Sequence, residues 1–166
     1  MKKSLQWIAI GLLAGCLLSC GNRKQEYRED VAVEDMQQEI DQILYHTDSL
    51  ISYNPDDIRF YLDIPEEYCT DCIVRAQTSS TSIDEYGIFH CISEADAEKL
   101  EDLIEDYLDR ALDGKREWLQ SYNPEELEKL EKSRVERYGS YVFYGILDPT
   151  TERMAVQRVE QMLSAN

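Results

Sequence analysis

Three stretches of the chain carry apolar residues at every third or fourth position, which is the spacing of an amphipathic helix. The first covers residues 33–51, where acidic residues and glutamines fill the opposite face. The second starts at Ser93, whose hydroxyl can cap the backbone while Asp96 takes the third helical position. Gly114 is a point at which this second helix could be interrupted. The third stretch covers residues 151–163.

Four other runs are rich in β-branched and aromatic residues and are short enough to be strands. They cover residues 72–78, 86–92, 134–138 and 141–147. Gly139 and Ser140 separate the last two runs. Glycine at such a position favours a tight hairpin turn, because it tolerates a positive φ.

A seven-residue motif occurs twice, as SYNPDDI at residues 52–58 and as SYNPEEL at residues 121–127. In both copies Asn is a favoured N-cap, Pro fits the first helical position, and two acids complement the positive end of a helix. We expect each copy to end one helix and to start a short new one. This capping chemistry explains the recurrence more simply than a duplicated ligand-binding element would.

Each copy of the motif is followed by two β-runs, so the predicted element order is α-β-β-α-β-β-α. This order indicates an α+β fold, in which the helices pack on one face of an antiparallel four-stranded sheet. Along the last strand Tyr141 and Phe143 point one way, whereas Val142 and Tyr144 point the other way. Both sets are largely apolar, so the pattern does not decide which face the helices cover.

The N-terminus has the pattern of an export signal. Lys2 and Lys3 precede an almost continuous apolar run over residues 5–18. A run of about 14 residues suits the apolar region of a signal peptide, but it is shorter than the roughly 20 residues that cross a bilayer as a helix. We therefore expect residues 1–19 to be a cleaved signal peptide.

Two cysteines in this region are candidates for lipid attachment, Cys16 after Leu-Ala-Gly and Cys20 after Leu-Leu-Ser. Both segments resemble the lipobox of bacterial lipoproteins, in which a diacylglycerol is joined to the thiol before a peptidase cuts ahead of the cysteine. We favour Cys20, with Cys16 as the alternative, because a polar segment follows Cys20 directly. The chain would then comprise a signal peptide (1–19), a lipidated cysteine with a flexible tether (20–32) and a single domain (33–166).

The chain is strongly acidic, with a formal net charge of −17. Removal of residues 1–19 leaves 15 basic residues against 34 acidic ones, a net charge of −19. Such a domain repels phosphate backbones and anionic headgroups, which disfavours nucleic-acid binding. Attachment to a membrane would depend on the lipid, and two acyl chains anchor stably where one binds only marginally.

The pair Cys69 and Cys72 is the most suggestive candidate for chemistry. Two thiols three positions apart at a helix start can have lowered pKa values and can exchange disulfides, and export would allow oxidation. The run after Cys72, however, predicts a strand and not the long helix of a thioredoxin-like site. Three interpretations stay open: thiols without a role, a structural disulfide between Cys69 and Cys72, and redox catalysis.

The remaining residues indicate no catalytic residue, no metal and no cofactor. His90 and Cys91 are neighbours on a predicted strand and should point to opposite faces, which disfavours a zinc site built from Cys69, Cys72, His90 and Cys91. Neither His46 nor His90 has HExxH spacing, and GxSxG, SxxK, P-loop and GxGxxG sequences are absent. The acidic residues of the second helix fall on its polar side, the pattern of a solvated face.

Three segments carry a resemblance to a known family. They are residues 84–89 (DEYGIF) leading into 93–97 (SEADA), residues 122–127 (YNPEEL) and residues 139–142 (GSYV). Through them, residues 33–163 resemble an uncharacterised domain of small lipoproteins from clostridia and related Gram-positive bacteria, a domain of unknown function. The resemblance implies a fold and an envelope location, and it brings no catalytic residues. The family pattern has no paired cysteines, so Cys69 and Cys72 depart from it, which weakens a redox role.

The expected function is that of a non-enzymatic binding or interaction module, lipid-anchored to the outer face of a bacterial membrane. It would bind another envelope protein or a ligand through the free face of its sheet or through its acidic surface. One alternative is a thiol–disulfide oxidoreductase that uses Cys69 and Cys72. Another is a cation-binding accessory lipoprotein.

Overall fold

The computed structural model describes residues 25–45, 49–78 and 82–165. The predicted signal peptide, Cys16, Cys20 and His46 lie outside these residues. None of the described helices is both long enough and apolar enough to cross a membrane.

Five α-helices, five strands and one 3-10 turn are described, in the order α1 (Val33–Ile43), β1 (Leu50–Ser52), α2 (Pro55–Leu62), the 3-10 turn (Glu66–Tyr68), β2 (Cys69–Gln77), β3 (Glu85–Cys91), α3 (Glu94–Tyr122), α4 (Pro124–Lys132), β4 (Arg134–Tyr138), β5 (Tyr141–Ile146) and α5 (Pro149–Leu163).

The five strands form one antiparallel sheet in the order β1-β2-β3-β5-β4. Ile88 of β3 lies opposite Ile73 of β2 on one side and opposite Phe143 of β5 on the other. The predicted α+β class is confirmed, but the prediction of four strands is wrong. The additional strand is β1, which lies at the edge and pairs with residues 75–77 of β2.

The first helix is shorter than predicted, because it ends at Ile43 and Leu44 is its C-cap. Leu50 lies seven positions after Ile43 and so keeps helical spacing, but it belongs to β1 and buries its side chain there. The spacing of apolar residues alone does not show whether the residues between them stay helical. The observed order is α-β-α-β-β-α-α-β-β-α and not α-β-β-α-β-β-α.

Helices pack on both faces of the sheet, so the prediction that they cover one face is wrong. On β5, Tyr141 and Phe143 join the core formed with α1 and α5, whereas Val142 and Tyr144 join the core formed with α2, α3 and α4. Every residue of β5 is buried. A strand that is apolar on both sides is typical of a sheet enclosed between two layers. This double burial is the reason that the sequence pattern could not select one face.

Polar side chains tie α1 to the sheet. Asp41 of α1 accepts a hydrogen bond of 2.7 Å from the hydroxyl of Tyr86 and forms an ion pair with Arg75. Arg75 also donates from Nη2 to the carbonyl of Leu50 at 2.7 Å, which links the edge strand β1 to the same cluster. Truncating one member would leave partly buried polar partners unsatisfied, so we assign the cluster a structural role.

Both copies of the repeated motif start a helix, as predicted. Asn54 caps α2 by accepting a hydrogen bond of 2.9 Å from the N–H of Asp57, whose carboxylate accepts in return from the N–H of Asn54. Pro124 occupies the first turn of α4. The first copy follows a strand and not a helix, whereas the second copy ends α3 at Tyr122.

Two further local predictions are confirmed and one is corrected. Ser93 is the N-cap of α3, and its Oγ accepts a hydrogen bond of 3.1 Å from the N–H of Asp96. Gly139 in the hairpin turn has a φ of +63°. Gly114 does not interrupt α3, because the helix continues through it to Tyr122.

The described chain already packs against the domain before α1 begins. Tyr27 forms an isolated β-bridge with Ser164, and its ring centroid lies 5.5 Å from that of Tyr138. Val31 is buried, and its carbonyl accepts a hydrogen bond of 2.8 Å from the hydroxyl of Tyr141. The polar sequence predicts that this segment is part of the flexible tether (20–32), whereas these contacts connect it to the domain.

Candidate functional site: a groove beside strand β2

A groove forms where α2 and the start of β2 lie side by side. Asp63 caps the C-terminus of α2 in a left-handed conformation, with a φ of 61°, and so turns the chain back. Ile64 and Pro65 then lead through the 3-10 turn directly into β2. Because only residues 63–68 connect α2 to β2, the helix and the strand lie close together.

The groove has a volume of about 270 Å³, with apolar walls and a charged rim. Ile58 and Ile64 line it and are themselves buried. At the rim, a guanidinium nitrogen of Arg59 lies 2.5 Å from a carboxylate oxygen of Glu66. The other lining residues are Pro55, Pro65, Cys69, Thr70, Asp71 and Cys72.

Residues 69–72 of β2 border the groove with an edge, here called the open edge, that no described strand covers. β1 pairs only with residues 75–77, and the last bond along this side runs from the N–H of Tyr53 to the carbonyl of Val74 at 2.9 Å. Backbone groups alternate in direction along an antiparallel strand, so Cys72 directs its N–H and C=O towards the same side as Val74. Unpaired edge groups of this kind are a template for an added strand.

A bulge in β2 brings the two predicted cysteines onto one face. In a regular strand Cys69 and Cys72, three positions apart, would point to opposite faces. The register shifts between Cys69 and Asp71, and an extra residue of this kind changes the phase of a strand. Cys69 and Cys72 both pack against the core on the side of α2 and α3, and Cys91 of β3 is buried in that core.

The thiol of Cys69 contacts that of Cys91 on the neighbouring strand β3. Its Sγ lies 3.9 Å from the Sγ of Cys91, and Cys69, Cys72 and Cys91 are all free thiols. The sulfur contact with Cys91, together with burial, raises the pKa of Cys69, and burial raises the pKa of Cys72 to about 11. Both thiols are therefore protonated at neutral pH, the form that reacts poorly as a nucleophile. A disulfide between Cys69 and Cys72 stays a prediction.

His90 and Cys91 point to opposite faces of the sheet, as predicted. The ring of His90 stacks on Tyr141 with centroids 4.2 Å apart, and its Nε2 lies 3.6 Å from a carboxylate oxygen of Glu29. Cys91 is buried on the other side. Within the described residues, no group of three or more His, Cys, Asp or Glu is arranged to hold a metal ion.

A buried carboxyl group lies at the start of β3, on the same side of the sheet as the thiols. Oε1 of Glu85 accepts hydrogen bonds from the hydroxyls of Tyr144 at 2.6 Å and Tyr107 at 2.8 Å. Burial raises the pKa of Glu85, and the two tyrosine hydrogen bonds oppose the rise. Burial also raises the pKa values of Tyr107 and Tyr144. The cluster therefore links α3 to β3 and β5. The hydroxyls of its two tyrosines stay protonated at neutral pH.

Sequence reasoning missed this carboxyl cluster. The two tyrosines lie 22 and 59 positions after Glu85, so no local motif joins them. The one available signal is the phase of the strand, because Glu85 shares its face with Gly87 and with the buried Phe89. A second cavity of about 270 Å³ adjoins Glu85, and Lys115 lines it.

The acidic side of α3 is mostly solvated, as predicted. Glu101 is the exception among the residues of this face, since its Oε2 accepts a hydrogen bond of 2.5 Å from Nε of Arg137 on β4. The exposed members are Glu98, Asp102, Glu105, Asp106 and Asp109. These carboxylates form no described metal cluster.

The described residues form an antiparallel five-stranded sheet enclosed by helices on both faces. The chain belongs to the family described as a domain of unknown function (DUF4358), which matches residues 47–147. The match includes the groove, the three described cysteines and Glu85, whereas α1 and α5 lie outside it. It confirms the resemblance to an uncharacterised domain. No curated protein and no solved structure matches the chain.

Proposed function

We propose that the chain is an extracytoplasmic bacterial lipoprotein, anchored through lipid on Cys20 with Cys16 as the alternative, and that its domain is a non-enzymatic binding module of the cell envelope. The domain binds an extended segment of another envelope protein. That segment adds a strand to the open edge of β2 and places a side chain in the groove. The observation that carries the binding proposal is the open edge of β2 beside the groove.

The geometry supports edge binding over the face binding expected from the sequence. Helices cover both faces of the described sheet, so neither face is available to a ligand. At the open edge, the N–H and C=O of Cys72 can each take a backbone partner, which is how an added strand gains affinity. The groove beside it is lined by Ile58 and Ile64, which would supply selectivity for an apolar side chain.

The alternative, a thiol–disulfide oxidoreductase, has weaker support. An exchange catalyst needs a substantial fraction of thiolate near neutral pH. The pKa of Cys72 is about 11, and the contact with Cys91 raises that of Cys69. The CxxC motif also begins a strand here and lacks the helix N-terminus that would lower a thiol pKa.

Mass spectrometry of the protein isolated from membranes of its own host tests the anchor. We expect a mature N-terminus at Cys20 that carries a diacylglyceryl group. Cys20→Ser should abolish the adduct, and Cys16→Ser, the matched control, should keep it. Wild-type protein with an intact Met1 and no acyl adduct would contradict the proposal.

Site-specific photo-crosslinking in living cells tests the binding mode. A photo-reactive residue at Glu66, on the rim of the groove, should give an adduct with an envelope protein, and the same residue at Asp109, on the solvated side of α3, should not. Cys72→Pro removes the outward N–H, which an edge strand tolerates, and should abolish the Glu66 adduct, whereas Cys72→Ser should keep it.

Thr70→Trp, which fills the groove from an exposed position, gives a second way to block binding. Circular dichroism of each variant separates a blocked groove from a lost fold. Equal adducts from Glu66 and Asp109, or an adduct that survives both blocking changes in folded protein, would contradict edge binding.

A further inference from the structure

Cys69 and Cys91 occupy a backbone position that suits a disulfide between neighbouring strands. The N–H of Cys91 donates to the carbonyl of Ser140 at 2.8 Å, on the side away from β2. The next residue, Ile92, donates to the carbonyl of Tyr68 at 3.0 Å, towards β2. Cys69 and Cys91 are therefore a non-hydrogen-bonded pair, whose Cα atoms are typically about 4.5 Å apart, within the range of about 4.4–6.8 Å that disulfides span.

A disulfide also requires that the two sulfur atoms can approach each other, and the side chains of Cys69 and Cys91 meet this requirement. The two Sγ atoms are already 3.9 Å apart and point into the same core. Bond formation needs them to approach to about 2.05 Å, which rotation of the partly exposed Cys69 side chain can supply. Cys72 shares this face but has Phe89 as its cross-strand partner, so an aromatic ring and not a thiol lies opposite it.

We propose that Cys69 and Cys91 are the disulfide-forming pair of this domain and that Cys72 remains a thiol in the groove. The reaction is thiol–disulfide exchange with a disulfide-bearing oxidant. Cys69, which lines the groove, attacks one sulfur of the oxidant and expels the other as a thiolate. Cys91 then attacks Sγ of Cys69, which forms the cross-strand bond and expels the second thiolate. The two cysteine protons end on the two oxidant sulfurs, so the oxidant is reduced to two thiols.

The order of the two steps follows from access. Cys69 is partly exposed at the groove, whereas Cys91 is only 2% exposed and can be reached from Cys69. The raised pKa of Cys69 means that the first step should accelerate as the pH rises, because the thiolate is the attacking form.

Peptide mapping of the full chain after treatment with oxidised glutathione at pH 8.5 tests the proposal. Trypsin places Cys69 and Cys72 in residues 60–75 and Cys91 in residues 76–99. We expect loss of two alkylatable thiols and a linked pair made of these two peptides. Cys16 and Cys20 fall in a separate peptide, residues 4–23, so the result does not depend on the proposed lipid anchor.

Two variants assign the bond. Cys72→Ser should oxidise as the wild type does, and Cys91→Ala should give no linked pair. A bond inside residues 60–75, loss of the linked pair in Cys72→Ser, or a stable glutathione adduct on Cys69 would each overturn the proposal. Alkylation of Cys69, Cys72 and Cys91 all undiminished after treatment would overturn it too. The linked pair must be found in the monomer band of a non-reducing gel, since a bond between Cys69 and Cys91 of two different chains would also overturn the proposal.

Discussion

Glu152 has a buried carboxyl group, and burial favours its protonated, uncharged form. It lies in the first turns of α5, is only 3% exposed, and its Oε1 has no hydrogen-bond partner among the described residues. Burial raises its pKa from 4.5 to about 7, with the charge of Arg134 opposing the rise and that of Glu136 adding to it. The folded domain therefore holds a proton that the unfolded chain releases more readily.

The sign of the pH dependence follows from this raised pKa. The stability contributed by the proton is fully present below pH 4.5 and is lost as the pH rises through about 7. The full interval corresponds to about 3 kcal/mol, since one pKa unit is about 1.4 kcal/mol. Between pH 5 and pH 8 the loss amounts to about 2.5 kcal/mol.

Glu152→Gln tests this reasoning, because glutamine has the shape of the protonated acid and cannot ionise. Relative to the wild type, the variant should gain about 2.5 kcal/mol in the free energy of unfolding between pH 5 and pH 8. Urea unfolding followed by circular dichroism at both pH values measures the difference. Glu160→Gln, at an exposed position of the same helix, is the matched control and should change by less than about 0.5 kcal/mol. A Glu152→Gln difference that is the same at pH 5 and pH 8 would refute the argument.

Three further predictions concern packing and the thiols. Gly87→Ala should lower the free energy of urea unfolding by about 1–3 kcal/mol, because the added Cβ would meet the ring of Tyr144 in the core. Gly114→Ala should raise it by about 0.5–1 kcal/mol, because nothing lies within 4 Å of the added Cβ and alanine favours the helix; a loss of stability there would contradict the open helical surface. The chain oxidised between Cys69 and Cys91 should be about 3 kcal/mol more stable than the reduced chain, because the bond closes a 22-residue loop. Thermal scans should show a Tm that is about 10 °C higher and that returns to its original value on addition of reductant. An unchanged Tm would count against this bond.

The parts of the fold that could be predicted are those that neighbouring residues decide. Ser93 and Asp96 contain the capping chemistry of α3 within four residues. Gly139 supplies the positive φ that the hairpin turn needs. Each feature depends on atoms that are close in the chain, so the sequence pattern contains the relevant interactions.

The parts that could not be predicted depend on the register between strands. Nothing in Cys-Thr-Asp-Cys marks a bulge, because the segment has no glycine or proline, and the bulge decides which way Cys69 points. The contact between Cys69 and Cys91 then depends on how β2 pairs with β3. Glu85 likewise has a role only once β5 and α3 have placed their tyrosines around it.

The bridge between Tyr27 and Ser164 brings the two ends of the described chain together, and the N–H of Arg28 adds a bond of 2.8 Å to the carbonyl of Leu163. Seven positions separate Cys20 from Tyr27, and even a fully extended chain of that length reaches only about 25 Å. In the proposed lipoprotein, a fluorophore fused to the C-terminus would therefore sit within reach of the bilayer surface. Quenchers attached to lipid headgroups should dim it, and the fusion would report on how the domain stands over the membrane.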